Sequence, residues 1–359
     1  MYRRRLIRSG HFGALRRNIS EKREGITTVK RTKIICASSG ETTVAILNVS
    51  YTIYRPDLIY STDKKPLLVI HGGPGIPSDY LQPMAQSLKE RCIIFYDQIG
   101  CGNSSRPKDL SSYSIQSTVG DLEHLVQHLK LKQFHLYGHS FGAIVAYEYS
   151  KGLSEGTIHL HNHDNQDEIS PRLLSVTLCS APSNLQKVED ESKMLLRSLR
   201  QRSDSEASEV SMGESMDGNV IDDSVSFQNT FVCRTSDGAL PRPLQEAYSK
   251  KGDIWEGTEV IIDYVAQPPS ESASNLPPTL LLRGEHDFVS EKFAFDEWKG
   301  LINHDSVHCQ TLGACSHYSM LENSELHSMK LDAFFDEQER NSLENPSHHV
   351  DNNVTTVSQ

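Results

Sequence analysis

No run of the chain approaches the roughly 20 consecutive apolar residues that a membrane-spanning helix needs, so an anchor of that kind is not expected. Cys-x-x-Cys pairs are missing as well. The seven cysteines, Cys36, Cys92, Cys101, Cys179, Cys233, Cys309 and Cys315, are odd in number and scattered. They read as free thiols in a reducing compartment, the cytoplasm, with no metal site among them. Positive charge is in deficit too: the net charge is -11 at pH 7, and without a basic face there is little to displace counterions from a nucleic acid. Membrane and nucleic acid therefore drop out as expected partners. What remains is a chain of 359 residues, 37% hydrophobic and 23% charged, enough for one large α/β domain with an insertion or for two ordinary domains.

The basic residues that do occur crowd the start. Arg3, Arg4, Arg5, Arg8, Arg16 and Arg17 all precede the first acidic residue, Glu21. Residues 1–25 are expected to be a disordered basic extension or, on that composition, a mitochondrial or plastid transit peptide. Residues 28–35 and 43–54 alternate as antiparallel strands do. Leu67-Leu68-Val69-Ile70 and Cys92-Ile93-Ile94-Phe95-Tyr96 are instead continuously apolar, the mark of strands buried on both faces. The first ends in His71-Gly72-Gly73-Pro74-Gly75, the second in Asp97-Gln98-Ile99-Gly100-Cys101-Gly102-Asn103-Ser104. Between them, Ser78-Asp79 are expected to cap a helix reaching about Leu88. Ile115, Val119, Leu122, Val126 and Leu129 then share one helical face. Such alternation of strand and helix predicts a parallel sheet with right-handed crossovers.

Gly138-His139-Ser140-Phe141-Gly142 follows a strand over 133–137 and leads into the apolar helix start Ala143-Ile144-Val145-Ala146-Tyr147. Strand, Gly-x-Ser-x-Gly, helix is the setting of a nucleophile elbow, where glycines on both sides let strand and helix backbones approach. A serine hydroxyl is a poor nucleophile at neutral pH, so a histidine must take its proton and a carboxylate must hold that histidine. Two later strands, over 279–283 and 307–312, end in Gly284-Glu285-His286-Asp287 and Gly313-Ala314-Cys315-Ser316-His317. Ser140, Asp287 and His317 are thus the expected catalytic residues, in the chain order of α/β-hydrolases. The N–H groups of Phe141 and Gly73 are the expected oxyanion hole.

These glycine loops, the elbow and the two late strand ends together resemble the proline iminopeptidase (prolyl aminopeptidase) family of serine peptidases, over roughly residues 44–335 apart from two polar insertions. The resemblance implies an α/β-hydrolase fold, a mostly parallel sheet flanked by helices with a mainly helical cap inserted between late strands. It also implies release of an N-terminal residue, most often proline, from short peptides with a free N-terminus, without metal or organic cofactor. Members carry a cap glutamate that binds the substrate amine. Trp255-Glu256-Gly257-Thr258-Glu259 is similar to that segment, so Glu259, with Trp255 and Gly72, is the implied substrate-binding set. Two positions depart from the pattern: Ile99 stands where arginine is common, and Phe288 where some members have a second amine-binding glutamate. Both loosen the implied preference for proline.

The expected domains are a first core segment over 26–182, a cap over 183–276, a second core segment over 277–337 ending in a helix at 324–335, and a disordered tail over 338–359. The core carries a polar insertion at 154–172, where His159, His161 and His163 alternate near Asp164 and Asp167; nothing apolar anchors them, and a solvated loop is expected rather than a metal site. Residues 203–226 in the cap, acidic and serine-rich, are expected to be mobile. The competing readings are an esterase or amidase indifferent to a free amine, and a catalytically silent binding protein. Epoxide hydrolases and dehalogenases are disfavoured because they generally need aspartate at the elbow.

Overall fold

In a computed structural model, the chain is described over residues 22–36, 41–158, 172–210, 223–273, 275–302 and 307–344. The arginine-rich start up to residue 21, the alternating histidines His159, His161 and His163, the acidic stretch 211–222 and the tail 345–359 lie outside the described residues. Eight strands form one sheet: β1 Lys22–Cys36, β2 Glu41–Tyr54, β3 Leu67–Ile70, β4 Ile93–Tyr96, β5 Gln133–His139, β6 Arg172–Cys179, β7 Thr279–Gly284 and β8 Val307–Leu312. Their order is β1-β2-β4-β3-β5-β6-β7-β8. The β1–β2 and β2–β4 pairings are antiparallel and all others parallel. This is the mostly parallel sheet that the motifs imply.

Burial explains why the middle strands are apolar throughout. Leu68, Ile70, Ile94, Leu136, Val176 and Leu281 pack on one face of the sheet against helices Ile115–His128 and Phe141–Ser154. Their neighbours Leu67, Val69, Ile93, Phe95, Tyr137 and Leu280 serve the opposite face, beneath helix Ser324–Glu344. Because successive side chains of a strand point to opposite sides, a strand between two helical layers has no polar position to offer. All parallel strands end at the same edge, and the glycine loops, the elbow and the loops holding Asp287 and His317 gather there.

Two helix expectations need correction. Ser78-Asp79 do not start a helix through Leu88; a 3-10 turn at Ser78–Tyr80 is followed by one helical turn at Met84–Ser87. Pro83 sits between them and has no N–H to continue the ladder. At the other end, the terminal helix runs from Ser324 to Glu344, past the point where a disordered tail is expected. The reason is a buried knot of charge. Arg91, fully enclosed, reaches Asp332 at 2.8 Å, Glu339 at 3.0 Å and Asp336 at 3.2 Å, and lies over the Phe335 ring. Glu339 also accepts from the Lys65 amide at 2.8 Å.

Between β6 and β7 the chain leaves the core and forms a cap. Its helical pieces are Leu185–Val210, Asp223–Phe227 continuing into a π-helical turn at Gln228–Val232, and Arg242–Ser249, followed by a 3-10 turn at Thr258–Ile261. Residues 203–210, expected to be mobile, continue the first of these helices. The cap's two stems meet at its base, where Leu185 N–H donates to Tyr264 at 3.1 Å and Ala266 N–H to Ser183 at 2.8 Å. Among the described residues, no helix is long and apolar enough to cross a membrane.

Candidate active site

The turn from β5 into helix Phe141–Ser154 is tight enough to force Ser140 to φ 54°, ψ −119°. Positive φ is costly for a residue with a Cβ and persists only where the surroundings impose it. Here they do so through Gly138 and Gly142: a Cβ on Gly138 would drive into the Gly142 carbonyl, and one on Gly142 into the carbonyls of Ile70 and His71. The Ser140 amide donates to Cys179 at 2.8 Å, which ties the turn to the end of β6.

The strand ends β7 and β8 bring the other two residues together. Asp287 Oδ1 accepts from the Val289 amide at 2.9 Å and lies 2.9 Å from His317 Nδ1, with both side chains buried. A carboxylate on Nδ1 fixes that nitrogen as the donor and leaves Nε2 as the basic one. The two loops are also joined directly, His286 N–H to Cys315 at 2.8 Å. His317 lies beside the elbow, its ring 4.7 Å from that of His139. Ser140 is half-buried, and no hydrogen bond joins its hydroxyl to His317 among the described residues.

The expected oxyanion donors are positioned by different means. Phe141 opens its helix, so its N–H has no intrahelical acceptor. Gly73 adopts φ +119°, and a Cβ there would meet the Gly75 amide nitrogen at 2.6 Å. The Gly72 amide is already engaged, donating to Tyr80 Oη at 2.7 Å. The loop after β4 braces this glycine loop: Gln98 N–H donates to His71 Nε2 at 2.9 Å and Gln98 Nε2 to the His71 carbonyl at 2.7 Å. Asp97 accepts from Ser78 Oγ at 2.8 Å and from the Asn103 amide at 2.9 Å.

The cap closes on both sides of this arrangement. The Gly252 amide donates to Gly75 at 2.8 Å and that of Gly257 to Pro74 at 3.1 Å, which lowers Trp255 edge-on to Phe141 at 5.4 Å between ring centroids. On the histidine side, the His317 amide donates to Phe231 at 3.3 Å and that of Tyr318 to Val232 at 3.0 Å. Glu322 holds the same loop, accepting from the Ser316 amide and hydroxyl at 2.8 Å each. Burial pushes the Glu322 carboxyl up, against the downward pull of those bonds. Glu259 is not part of this cluster: it is exposed on the turn Thr258–Ile261, without a hydrogen bond or ion pair among the described residues. Phe288 is in the cluster, its ring 4.3 Å from that of His317. Tyr80, His139 and Glu322 escaped the sequence reading; His139 lies inside the elbow motif, but Tyr80 and Glu322 carry no local signal.

Residues 65–151 match the sequence family described as the alpha/beta hydrolase fold. Over 93 residues the chain is 43% identical to a proline iminopeptidase from Lactobacillus delbrueckii subsp. lactis, covering 25% of this chain and 32% of that protein. Over 104 residues it is 41% identical to the proline iminopeptidase of Lactobacillus helveticus, covering 28% and 35%. The chain thus matches about a third of the length of these curated relatives. Among solved structures, the proline iminopeptidase of Mycobacterium smegmatis superposes with a TM-score of 0.63 at 19% identity, over 88% of this chain and 100% of that one. VinJ gives 0.63 at 18% identity, over 86% and 99%. An esterase from Thermogutta terrifontis gives 0.53 at 16%, over 87% and 99%. At such identities these likenesses concern the fold alone.

Proposed function

We propose that this chain, which has the α/β-hydrolase fold, is a serine aminopeptidase of the proline iminopeptidase type, releasing an N-terminal residue, preferentially proline, from short peptides. The observation that carries this reading is the buried Asp287–His317 bond of 2.9 Å beside a serine held at φ 54°. His317 Nε2 takes the Ser140 proton as Oγ attacks the carbonyl of the N-terminal residue. The oxyanion forms against the amides of Phe141 and Gly73, and Asp287 stabilises the imidazolium. His317 then protonates the leaving amine, and the N-terminal residue stays as an ester on Ser140 until water, deprotonated by the same histidine, releases it. No metal or organic cofactor enters these steps. Ser140→Ala removes one oxygen and no core volume, so it should fold as the parent does and lose both hydrolysis of prolyl-naphthylamide and labelling by a fluorophosphonate. Retention of more than a few per cent of either would sink the serine mechanism.

A second reading has one observation in its favour. Phe288 packs tilted against His317 where a charged partner for an amine is implied, and Glu259 is exposed. An esterase or amidase indifferent to the free amine would suit such apolar surroundings. Proline amide against its Nα-acetylated form separates the two: the aminopeptidase reading expects the acetylated substrate to be poor.

A further inference from the structure

His139 Nε2 lies 2.9 Å from the His317 carbonyl oxygen, and a carbonyl can only accept, so this nitrogen carries the proton. A neutral imidazole has one N–H. Nδ1 is therefore an acceptor, and its partner at 2.8 Å is Tyr80 Oη. The Tyr80 hydroxyl must then donate to His139, while its oxygen accepts the Gly72 amide at 2.7 Å. The chain of bonds has one direction only: Gly72 N–H to Tyr80 O–H to His139, and His139 Nε2–H to the carbonyl of His317. Tyr80 and His139 are each 1% exposed, and Tyr318 packs edge-on against Tyr80 and tilted against His139, at 5.2 Å from each. Burial pushes the His139 pKa well down, so the single-proton form is the one present at neutral pH.

The two ends of this chain are what give it a consequence. Gly72 immediately precedes the amide expected to hold the oxyanion, and His317 is the expected base, while His139 itself is the residue before Ser140. Resting on the serine-hydrolase reading above, we infer that Tyr80 and His139 are positioning residues forming a buried wire that sets the glycine loop, the nucleophile turn and the base loop in fixed mutual register. Neither side chain touches the reacting atoms. The wire aims Gly73 N–H by fixing the peptide before it and holds the backbone from which the His317 ring projects. Groups aimed this way matter in the transition state and little in substrate binding.

Tyr80→Phe keeps the ring and breaks the Gly72 end; His139→Asn retains an acceptor near Nδ1 and breaks the His317 end. Removing an oxyanion donor outright costs about 10²- to 10³-fold, so mis-aiming one is expected to lower kcat about 10- to 100-fold with KM within about twofold. Affinity for a prolyl boronic acid, which forms the tetrahedral adduct, should fall in parallel with kcat. Because both substitutions cut one wire, the double variant should be no slower than the worse single one. Multiplying effects, a change in KM alone, or a Tyr80→Phe enzyme with unchanged kcat would overturn the inference. Should Tyr80→Phe fail to fold, 3-fluorotyrosine placed at position 80 keeps the hydroxyl and alters its strength as a donor; kcat is again expected to move without KM, and an unchanged kcat overturns the wire. Fluorophosphonate labelling separates the two levels: an unlabelled wild type brings down the serine reading itself, whereas a labelled wild type with an equally fast Tyr80→Phe brings down only the wire.

Discussion

Strand β5 carries two fully enclosed histidines, His135 near its start and His139 at its end, four positions apart and so on one face of the sheet. Their surroundings differ in kind. His135 stands in a field of charge, with Nε2 3.1 Å from Glu339 and Nδ1 2.7 Å from Ser175 Oγ, next to Arg91 and its three carboxylates. His139 meets a phenol, a carbonyl and the rings of Tyr318 and His317. The charged end fastens helix Ser324–Glu344 to the sheet far from the chemistry. The other end lies where a negative charge is expected to develop against backbone amides, and there the alignment of those amides matters most. The contrast teaches that one strand can serve stability at its amino end and geometry at its carboxyl end, and substitutions should separate the two.

The largest effect is expected at the carboxyl end. Asp287→Asn should fold normally and lose about 10⁴-fold in turnover, because an amide can favour the wrong histidine tautomer. Turnover measured beside a melting curve checks this, and a near-normal rate would place the acid elsewhere. Arg91→Ala should do the reverse, costing about 3 to 5 kcal/mol of stability by leaving the buried Glu339 carboxylate without its arginine and freeing Asp332 and Asp336 from theirs. Turnover per folded molecule should stay within about twofold. Urea titration with parallel kinetics decides, and an unchanged midpoint would mean the knot contributes nothing.

A smaller change is expected at Glu259, which neither cluster contains. If it anchors the substrate ammonium, Glu259→Gln should weaken kcat/KM on free N-termini by about 10- to 150-fold, the equivalent of roughly 1.5 to 3 kcal/mol, and leave acetylated substrates nearly unaffected. Equal loss on both would assign the amine to another group. Glu246 is a weak substitute, since it pairs with Arg242 at 2.8 Å.

The smallest effect is the pH dependence of the charged end. Burial holds His135 down at about 4 from an ordinary 6.5. The unfolded chain therefore takes up a proton that the native state refuses, and stability present above pH 6.5 is lost as pH falls toward 4. Glu339 is held at about 2, burial being outweighed by its bonds to His135 and Lys65 and by Arg91. Its contribution is lost in a second window, between its ordinary value and about 2. The upper window should be worth on the order of 1 to 2 kcal/mol, allowing for the attraction of Glu339 for a protonated His135. Melting temperatures from pH 7 to pH 4 test it: His135→Gln should make that segment shallower, with the buried His71, His139 and His327, also held down, supplying the remaining slope, and a variant as steep as the wild type refutes the assignment.

What could be read in the sequence was whatever the chain writes locally. A four-residue apolar strand between helices, a glycine on each side of a serine, and a polar loop after a strand are patterns within ten residues, and each lies where it was expected. The pairing of Asp287 with His317 follows from the loops after β7 and β8, which are neighbours in the sheet. The wire and the knot were not legible. Tyr80 and His139 are 59 positions apart and Arg91 and Glu339 248 apart, so no period or spacing links them. Composition even misled at the terminus, where Gln338 and Glu339 look like solvated tail and are buried. Phe288 was noted as a departure from a pattern, but nothing in its neighbours told that its ring packs against His317.

The cap's backbone bonds give the protein a property of a different sort. Gly252 and Gly257 donate to the glycine loop, and the amides of His317 and Tyr318 donate to the cap's π-helical turn. Amide protons in such bonds exchange with solvent only when the structure that shields them opens. The four amides sit on both walls of the site, so raising the cap exposes two protons that belong to the cap and two that belong to the core. In a deuterium-exchange experiment the four should report one common opening free energy, larger than that of the cap's exposed turns, so that peptides from the two halves of the chain show matching protection.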